Sequence, residues 1–224
     1  MKISLLMLLL LLPFWAKAQL TRQLTNKSAY FLEQFEVRAE APDVKEGTYQ
    51  KFTRRTHKLF ESGTYLAGQR TGVWTFYSQS GQSDLVYDYS QKTIVLLNRT
   101  NVAASVAQFI EADTLRTVVV DREPVYLASS VQIYETLGRN ARFPTHLAKA
   151  GLTDISFKVL ATVSPSGTSF RIMPSHADGQ FIRESKQAAV EAFAGVDWVL
   201  AIYRQRPVTA VYFLGDVKIH AYTN

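Results

Sequence analysis

Gly63-Thr-Tyr-Leu-Ala-Gly-Gln-Arg-Thr-Gly-Val-Trp-Thr-Phe-Tyr-Ser-Gln-Ser-Gly81 decides the architecture of the N-terminal half of this chain. Glycines stand at 63, 68, 72 and 81, and aromatics fill the gaps at Tyr65, Trp74, Phe76 and Tyr77. Glycine accepts positive φ at tight turns without steric cost. Aromatics on alternate positions suit a pleated, half-buried surface. The stretch therefore reads as short strands joined by glycine turns. Val73, Thr75 and Tyr77 fall on one face of the main strand, and Trp74 and Phe76 on the other. An echo lies sixteen residues upstream, where Gly47-Thr-Tyr49 matches Gly63-Thr-Tyr65. That points to a repeated hairpin unit.

The neighbouring sequence extends the pattern. Leu85-Val-Tyr-Asp-Tyr89 and Thr93-Ile-Val-Leu-Leu97 read as further strands, and Tyr30 to Val37 as an earlier one. Short strands separated by glycine or polar turns predict an antiparallel meander. Lys51, Arg54, Arg55, His57 and Lys58 form the densest basic cluster, read as a solvated strand-and-turn face. The pattern Gly63-x-Tyr65-x-x-Gly68-x-Arg70-x-Gly72-x-Trp74-x-x-Tyr77-x-x-x-Gly81 resembles the MORN-type repeat, in the variant found in bacterial exported proteins. Gly47-x-Tyr49 is similar to a degenerate preceding copy. The resemblance covers about forty residues and implies a β-hairpin repeat that acts as a scaffold or interaction surface, with no chemistry of its own.

Beyond residue 97 the pattern changes. Val102, Val106, Phe109 and Ile110 fit one side of a short helix, and Arg116 to Asp121 a strand. Arg122-Glu-Pro124 breaks the chain, and the domain boundary is placed at 115–124. Ser129 or Ser130 is suited to cap a helix that ends near Gly138. Phe143-Pro144 starts a second short helix that stops at Gly151. In the strand that follows, Ile155, Phe157, Val159, Ala161 and Val163 share one face. Ser164-Pro-Ser-Gly167 turns the chain, and Phe170 and Ile172 alternate on the returning strand. Asp178-Gly179 opens a helix to about Ala194, with Ile182, Ala189, Phe193 and Val196 as its apolar face. Arg206 to Leu214 is a final strand, extended or followed by Val217 to His220.

This order of helix, helix, hairpin, helix and strand resembles the C-terminal domain of TonB, the periplasmic part of an energy transducer. Phe143-Pro144 with Ala148, then Gly151, the Ser166-Gly167 turn, Trp198 and Pro207-Val208 follow the family's order of motifs, and Pro124-Val-Tyr126 resembles its lead-in. The resemblance spans residues 122–221. Three features depart from the family: a cleavable leader replaces the membrane anchor, no Pro-rich spacer precedes the domain, and Val199 follows Trp198 where the family has proline. The resemblance therefore implies the fold more than the energy-transducing role.

Lys2, the apolar run Ile3 to Leu12, and Ala16-Lys-Ala18 predict a secretory signal peptide over 1–18, cleaved before Gln19. The apolar run is about ten residues, and a membrane span takes about twenty. The expectation is an exported protein with no integral span after cleavage, periplasmic, associated with the outer membrane, or secreted. Of 25 basic residues, Lys2 and Lys17 leave with the leader, so 23 face 19 acidic residues for a net of +4. This dispersed excess does not point to nucleic acid as a partner. With no cysteine, the chain has no disulfide, thiolate metal site or cysteine nucleophile.

His57, His146, His176 and His220 show no metal-ligand spacing. His176-Ala-Asp178 comes nearest, with Asp178 better read as a helix cap. No Gly-x-Ser-x-Gly elbow or phosphate-binding glycine loop occurs. Asp84 with Asp88, and Asp113 with Asp121, are the carboxylate pairs nearest to a hydrolytic site. No catalytic residue, metal or cofactor is assigned.

The fold expectation is α+β: signal peptide 1–18, a MORN-like β-meander over 19–115, and a TonB-like α/β domain over 122–224, with an antiparallel sheet and flanking helices. The functional expectation is a non-catalytic exported envelope binding or scaffold protein. Its partner, an envelope protein or outer-membrane receptor segment, would pair as an extended peptide with a sheet edge. Val208, Val211, Tyr212 and Phe213 mark that edge, and Trp74 and Tyr77 are candidate surface aromatics. Two alternatives stand beside it: an accessory in TonB-type transport at the outer membrane, and an envelope hydrolase with a scattered carboxylate site.

Overall fold

A computed structural model describes residues 20–28, 30–99, 104–111 and 114–221. The signal-peptide expectation over 1–18 lies outside the described residues. Seven strands come first: β1 (Thr21–Lys27), β2 (Phe31–Arg38), β3 (Ala41–Thr53), β4 (Leu59–Leu66), β5 (Gln69–Tyr77), β6 (Ser83–Asp88) and β7 (Thr93–Leu97). They form one sheet in sequence order, every neighbour antiparallel. This is the meander the glycine and aromatic spacing predicts. The two Gly-Thr-Tyr tripeptides face each other across β3 and β4, with Gly47 opposite Tyr65 and Tyr49 opposite Gly63.

The remaining elements are β8 (Val106–Glu111), β9 (Thr114–Val119), β10 (Val125–Tyr126), α1 (Ser130–Asn140), α2 (Thr145–Lys149), β11 (Asp154–Ser164), β12 (Gly167–Pro174), α3 (Gly179–Ala192), β13 (Trp198–Val199), β14 (Ala201–Tyr203), β15 (Arg206–Val208) and β16 (Ala210–His220). A second sheet runs in the order β12-β11-β16-β8-β9. The architecture is a sheet-rich α+β fold. Ile155, Phe157, Val159, Ala161 and Val163 are all buried, as their alternation requires, beneath Ile133 and Leu137 of α1 and Phe181, Ala188, Ala189 and Ala192 of α3. Burial of such a continuous apolar face is the main favourable term holding these layers together.

Three elements differ from expectation. Residues 106–110 are strand, not helix; Val102 lies outside the described residues. The helical spacing was real, but Val106 and Ala107 pair with Val119 and Val118 on β9 and with Val211 and Ala210 on β16. Tertiary pairing overrides a weak local pattern. The change of sheet therefore falls between β7 and β8, ahead of the chain break at 115–124. Second, α3 buries Phe181 and leaves Ile182 partly exposed. Asp178 caps the helix by accepting a hydrogen bond from Phe181 N (2.8 Å), which fixes its phase. The buried row is then Phe181, Ser185, Ala188, Ala189 and Ala192, and Ser185 hides it from a hydropathy reading. Third, Arg206 to Leu214 is not one strand. β14 and β15 form a hairpin through Arg204 and Gln205, both at positive φ as a tight two-residue turn needs, and β16 starts afresh at Ala210.

Candidate functional site

The inner face of the seven-stranded sheet holds a row of rings and a set of paired charges. Trp74 and Phe76 are fully buried, with Leu85 and Tyr87 opposite them on β6 and Val125 and Leu127 of the second half laid across. Trp74 is thus a core residue and not a surface aromatic. Its Nε1 donates to the carbonyl oxygens of Thr64 (3.1 Å) and Thr71 (3.2 Å), so burial leaves no polar atom unpaired. Tyr77 lies on the other face, half-buried, with its hydroxyl 3.3 Å from Ser62 Oγ.

Charges enter this face at inward positions of β2 to β5. Tyr49 donates to Glu33 Oε1 (3.0 Å), and Lys51 stands 3.4 Å from the same oxygen. Burial works to raise the Glu33 pKa, but the Lys51 charge and the Tyr49 hydrogen bond outweigh it and hold the carboxyl below its ordinary value. Lys45 lies 4.7 Å from the ring centres of Phe35 and Tyr49 and 5.0 Å from that of Tyr65, and burial lowers its pKa. Arg70 stacks 4.3 Å from the Trp74 ring, stands 3.6 Å from Glu61, and donates to Tyr89 Oη (2.9 Å) and Leu127 O (3.2 Å). Glu33, Lys45 and Glu61 were not singled out from the sequence, and Lys51, expected on a solvated basic face, is instead largely covered and paired with Glu33. The signal was a charged residue sharing strand parity with inward rings, as Glu33 does with Phe35 and Lys51 with Tyr49.

The two halves meet along residues 125–130. Arg99 pairs with Asp84 (2.8 Å), donates to the carbonyls of Tyr126 (2.9 Å) and Ala128, and lies 4.3 Å from the Tyr126 ring centre. Ser130 Oγ donates to Asp84 Oδ2 (3.0 Å), and Ser129 Oγ to Tyr77 O (2.6 Å). Asp84 is thereby committed to a structural network, and Asp88 accepts from the turn amides of Ser90 and Gln91. Asp121 accepts from Arg204 N, and Asp113 lies outside the described residues. His146 pairs with Asp178 at 2.8 Å and His220 with Asp154. Among the described residues, no group of three or more His, Asp or Glu is placed to hold a metal ion. Among them also, no helix is long and apolar enough to cross a membrane.

The expected docking edge lies on β15 and β16. Val208 pairs with Ala201, and Val211 pairs on one side with Thr162 and on the other with Val106. Tyr212 is buried, its ring centre 5.8 Å from that of Tyr126 and 5.7 Å from that of Trp198. Phe213 is half-buried and pairs with Leu160. Backbone at Val208 and Val211 is therefore already engaged, because the chain's own hairpins reach it first. The open part of the strand lies further on. Past Tyr212, β16 pairs only with β11 among the described residues, and the Gly215 backbone meets the Tyr134 hydroxyl.

Strand geometry fixes which groups face that open side. Ala221 N donates to Thr153 O (2.8 Å) on the β11 side. Backbone groups alternate between the two sides of a strand, so Lys218 and His220 aim their N–H and C=O at the opposite edge. Ser156, opposite Lys218, likewise turns its N–H outward, to Ser175 Oγ (2.8 Å). A groove of about 850 Å³ runs along this edge, lined by Lys218, Ile219 and His220 and closed by Tyr30, Arg139, Arg142 and Phe143. Ile219 points to the core and its neighbours to the other face, so a groove touching all three lies against the strand's rim.

No protein-family model, curated protein or solved structure matches this chain.

Proposed function

We propose that this protein is a non-catalytic, exported cell-envelope binding or scaffold protein that takes a partner as an added strand on the outer edge of β16. The observation that carries the reading is the unpaired rim at Lys218 and His220 beside the 850 Å³ groove. An extended peptide gains main-chain hydrogen bonds there and side-chain contacts in the groove. The seven-stranded sheet acts as a rigid platform, held to the second half by Arg70 and Arg99. The leader-like N-terminus supports export, and the order α1, α2, β11–β12 hairpin, α3, β16 supports a TonB-like character for the second half. The repeated Gly-Thr-Tyr units, paired across β3 and β4, support a MORN-like scaffold.

Immobilised protein (residues 19–224) exposed to envelope extract tests this. A retained partner should be lost from Lys218→Pro, which deletes an outward N–H and leaves the β11 ladder intact, and kept by Lys218→Arg, which preserves both the N–H and the positive charge. Retention unaffected by the proline, or no partner above a control, removes the reading.

A further inference from the structure

We infer that the strand received at the β16 edge is acidic: an extended peptide segment whose carboxylates meet Arg142, Arg139 and Lys218. This rests on the edge-pairing reading and adds the partner's chemistry to it. The groove lining carries three permanent cations and His220, and no carboxylate. Arg142 and Lys218 are exposed, and neither has an ion-pair partner within 4 Å among the described residues, although Lys218 feels the charge of Asp154 at longer range. Arg139 is held in place by Glu135 (3.3 Å) and by the Tyr30 ring, 4.2 Å from its guanidinium carbon. His220 is turned to Asp154.

The position of these charges matters as much as their sign. Lys218 offers its backbone to the incoming strand and its ammonium to the outer sheet face. Arg139 and Arg142 stand on the opposite wall, at the end of α1 and in the loop to α2. A strand lying between them passes alternate side chains to the two sides. Acidic residues on it therefore meet a cation on whichever side they fall, whereas basic residues meet like charge on both. Complementary charge of this kind selects partners and speeds encounter, and salt weakens it.

The test is a titration of the isotopically labelled protein (residues 19–224) followed by amide chemical shifts. The probes are three capped hexapeptides: (Glu-Val)3, (Ser-Val)3 and (Lys-Val)3. The expected result is a shift of the amides of Lys218 and His220 with the glutamate peptide at an affinity about fivefold or more above the serine peptide. The preference should shrink as salt rises through the physiological range. Arg142→Ala should weaken glutamate-peptide binding more than serine-peptide binding and so remove most of that preference. Equal binding of the glutamate and serine peptides at this edge overturns the acidic preference but leaves edge pairing standing. Stronger binding of the lysine peptide also overturns it. No shift in β16 with any peptide removes the edge-pairing reading itself. Response to phosphatidylglycerol vesicles in place of the glutamate peptide overturns the inference in favour of a membrane surface.

Discussion

The indole of Trp74 lies directly on Gly63: a Cβ placed at residue 63 would stand 2.2 Å from Trp74 Cδ2. The absence of a side chain on β4 is what lets the ring row of β3, β4 and β5 close, with Trp74 5.4 Å from Tyr49 and 5.1 Å from Tyr65 between ring centres. Gly63→Ala should therefore destabilise by about 1–3 kcal/mol through overpacking. Trp74→Ala should cost about 3–5 kcal/mol by emptying the same site. Urea unfolding followed by circular dichroism measures both. A neutral Gly63→Ala would mean that the indole can move aside at little cost.

Arg99 should be the most sensitive link between the two halves. Its removal leaves Asp84 buried without its cation and the carbonyls of Tyr126 and Ala128 without a donor. Breaking a buried pair from one side typically costs about 3–5 kcal/mol. Arg99→Ala should lower stability by about that amount and speed amide hydrogen exchange at 125–130. Exchange unchanged there would show that Val125 and Leu127 hold the junction by packing alone.

Stability should fall on mild acidification, in part through Glu33. Its folded-state pKa lies below the ordinary value of 4.5 because Lys51 and Tyr49 outweigh the effect of burial. A depressed carboxylate contributes stability that is complete above its unfolded pKa and is lost as pH falls through the folded one. Glu33→Gln should therefore be less stable than wild type at neutral pH, with the gap closing below about pH 4. Denaturation curves across that range check the sign, and a gap that widens in acid would contradict it.

Neighbouring residues on β16 should respond oppositely to proline. Lys218→Pro removes an N–H that faces the groove and should leave the thermal midpoint within a few degrees of wild type. Ile219→Pro removes a ladder donor to Ile155 and replaces a buried side chain, and should cost more than about 2 kcal/mol. Thermal scans of the two variants separate the cases. Equal losses would mean that Lys218 N–H is engaged within the fold.

Much of the architecture was legible because neighbouring strands in the first sheet are also neighbours in sequence. Alternation at Val73 to Tyr77 and at Ile155 to Val163 grouped the residues by face correctly, since side-chain period alone decides which residues share a face, but it did not reveal that Trp74 and Phe76 are on the buried side. The cap at Asp178 and the stop at Gly151 were local signals that the helices obeyed, whereas α1 runs two residues past Gly138 to Asn140. The short segment 106–110 was not legible, because its partners on β16 lie about a hundred residues away. Nor was the phase of α3, where Ser185 sits in the apolar row and Ile182 outside it.

The same division holds for the candidate site. Sequence pattern placed a strand beyond Pro207 and gave it an apolar, edge-forming character. Which of its residues stay unpaired depended on where β8 and β14 dock, and those contacts moved the open rim from Val208–Phe213 to Lys218 and His220. The basic wall of Arg139 and Arg142 is separated from Lys218 by more than seventy residues of chain and becomes a neighbour only when α1 packs beside β16. By itself the sequence determined the local elements and which of their residues share a face, because periodicity is a short-range property. Only the tertiary structure decided which edge remains open and what charge stands beside it, because both depend on packing between segments far apart in the chain.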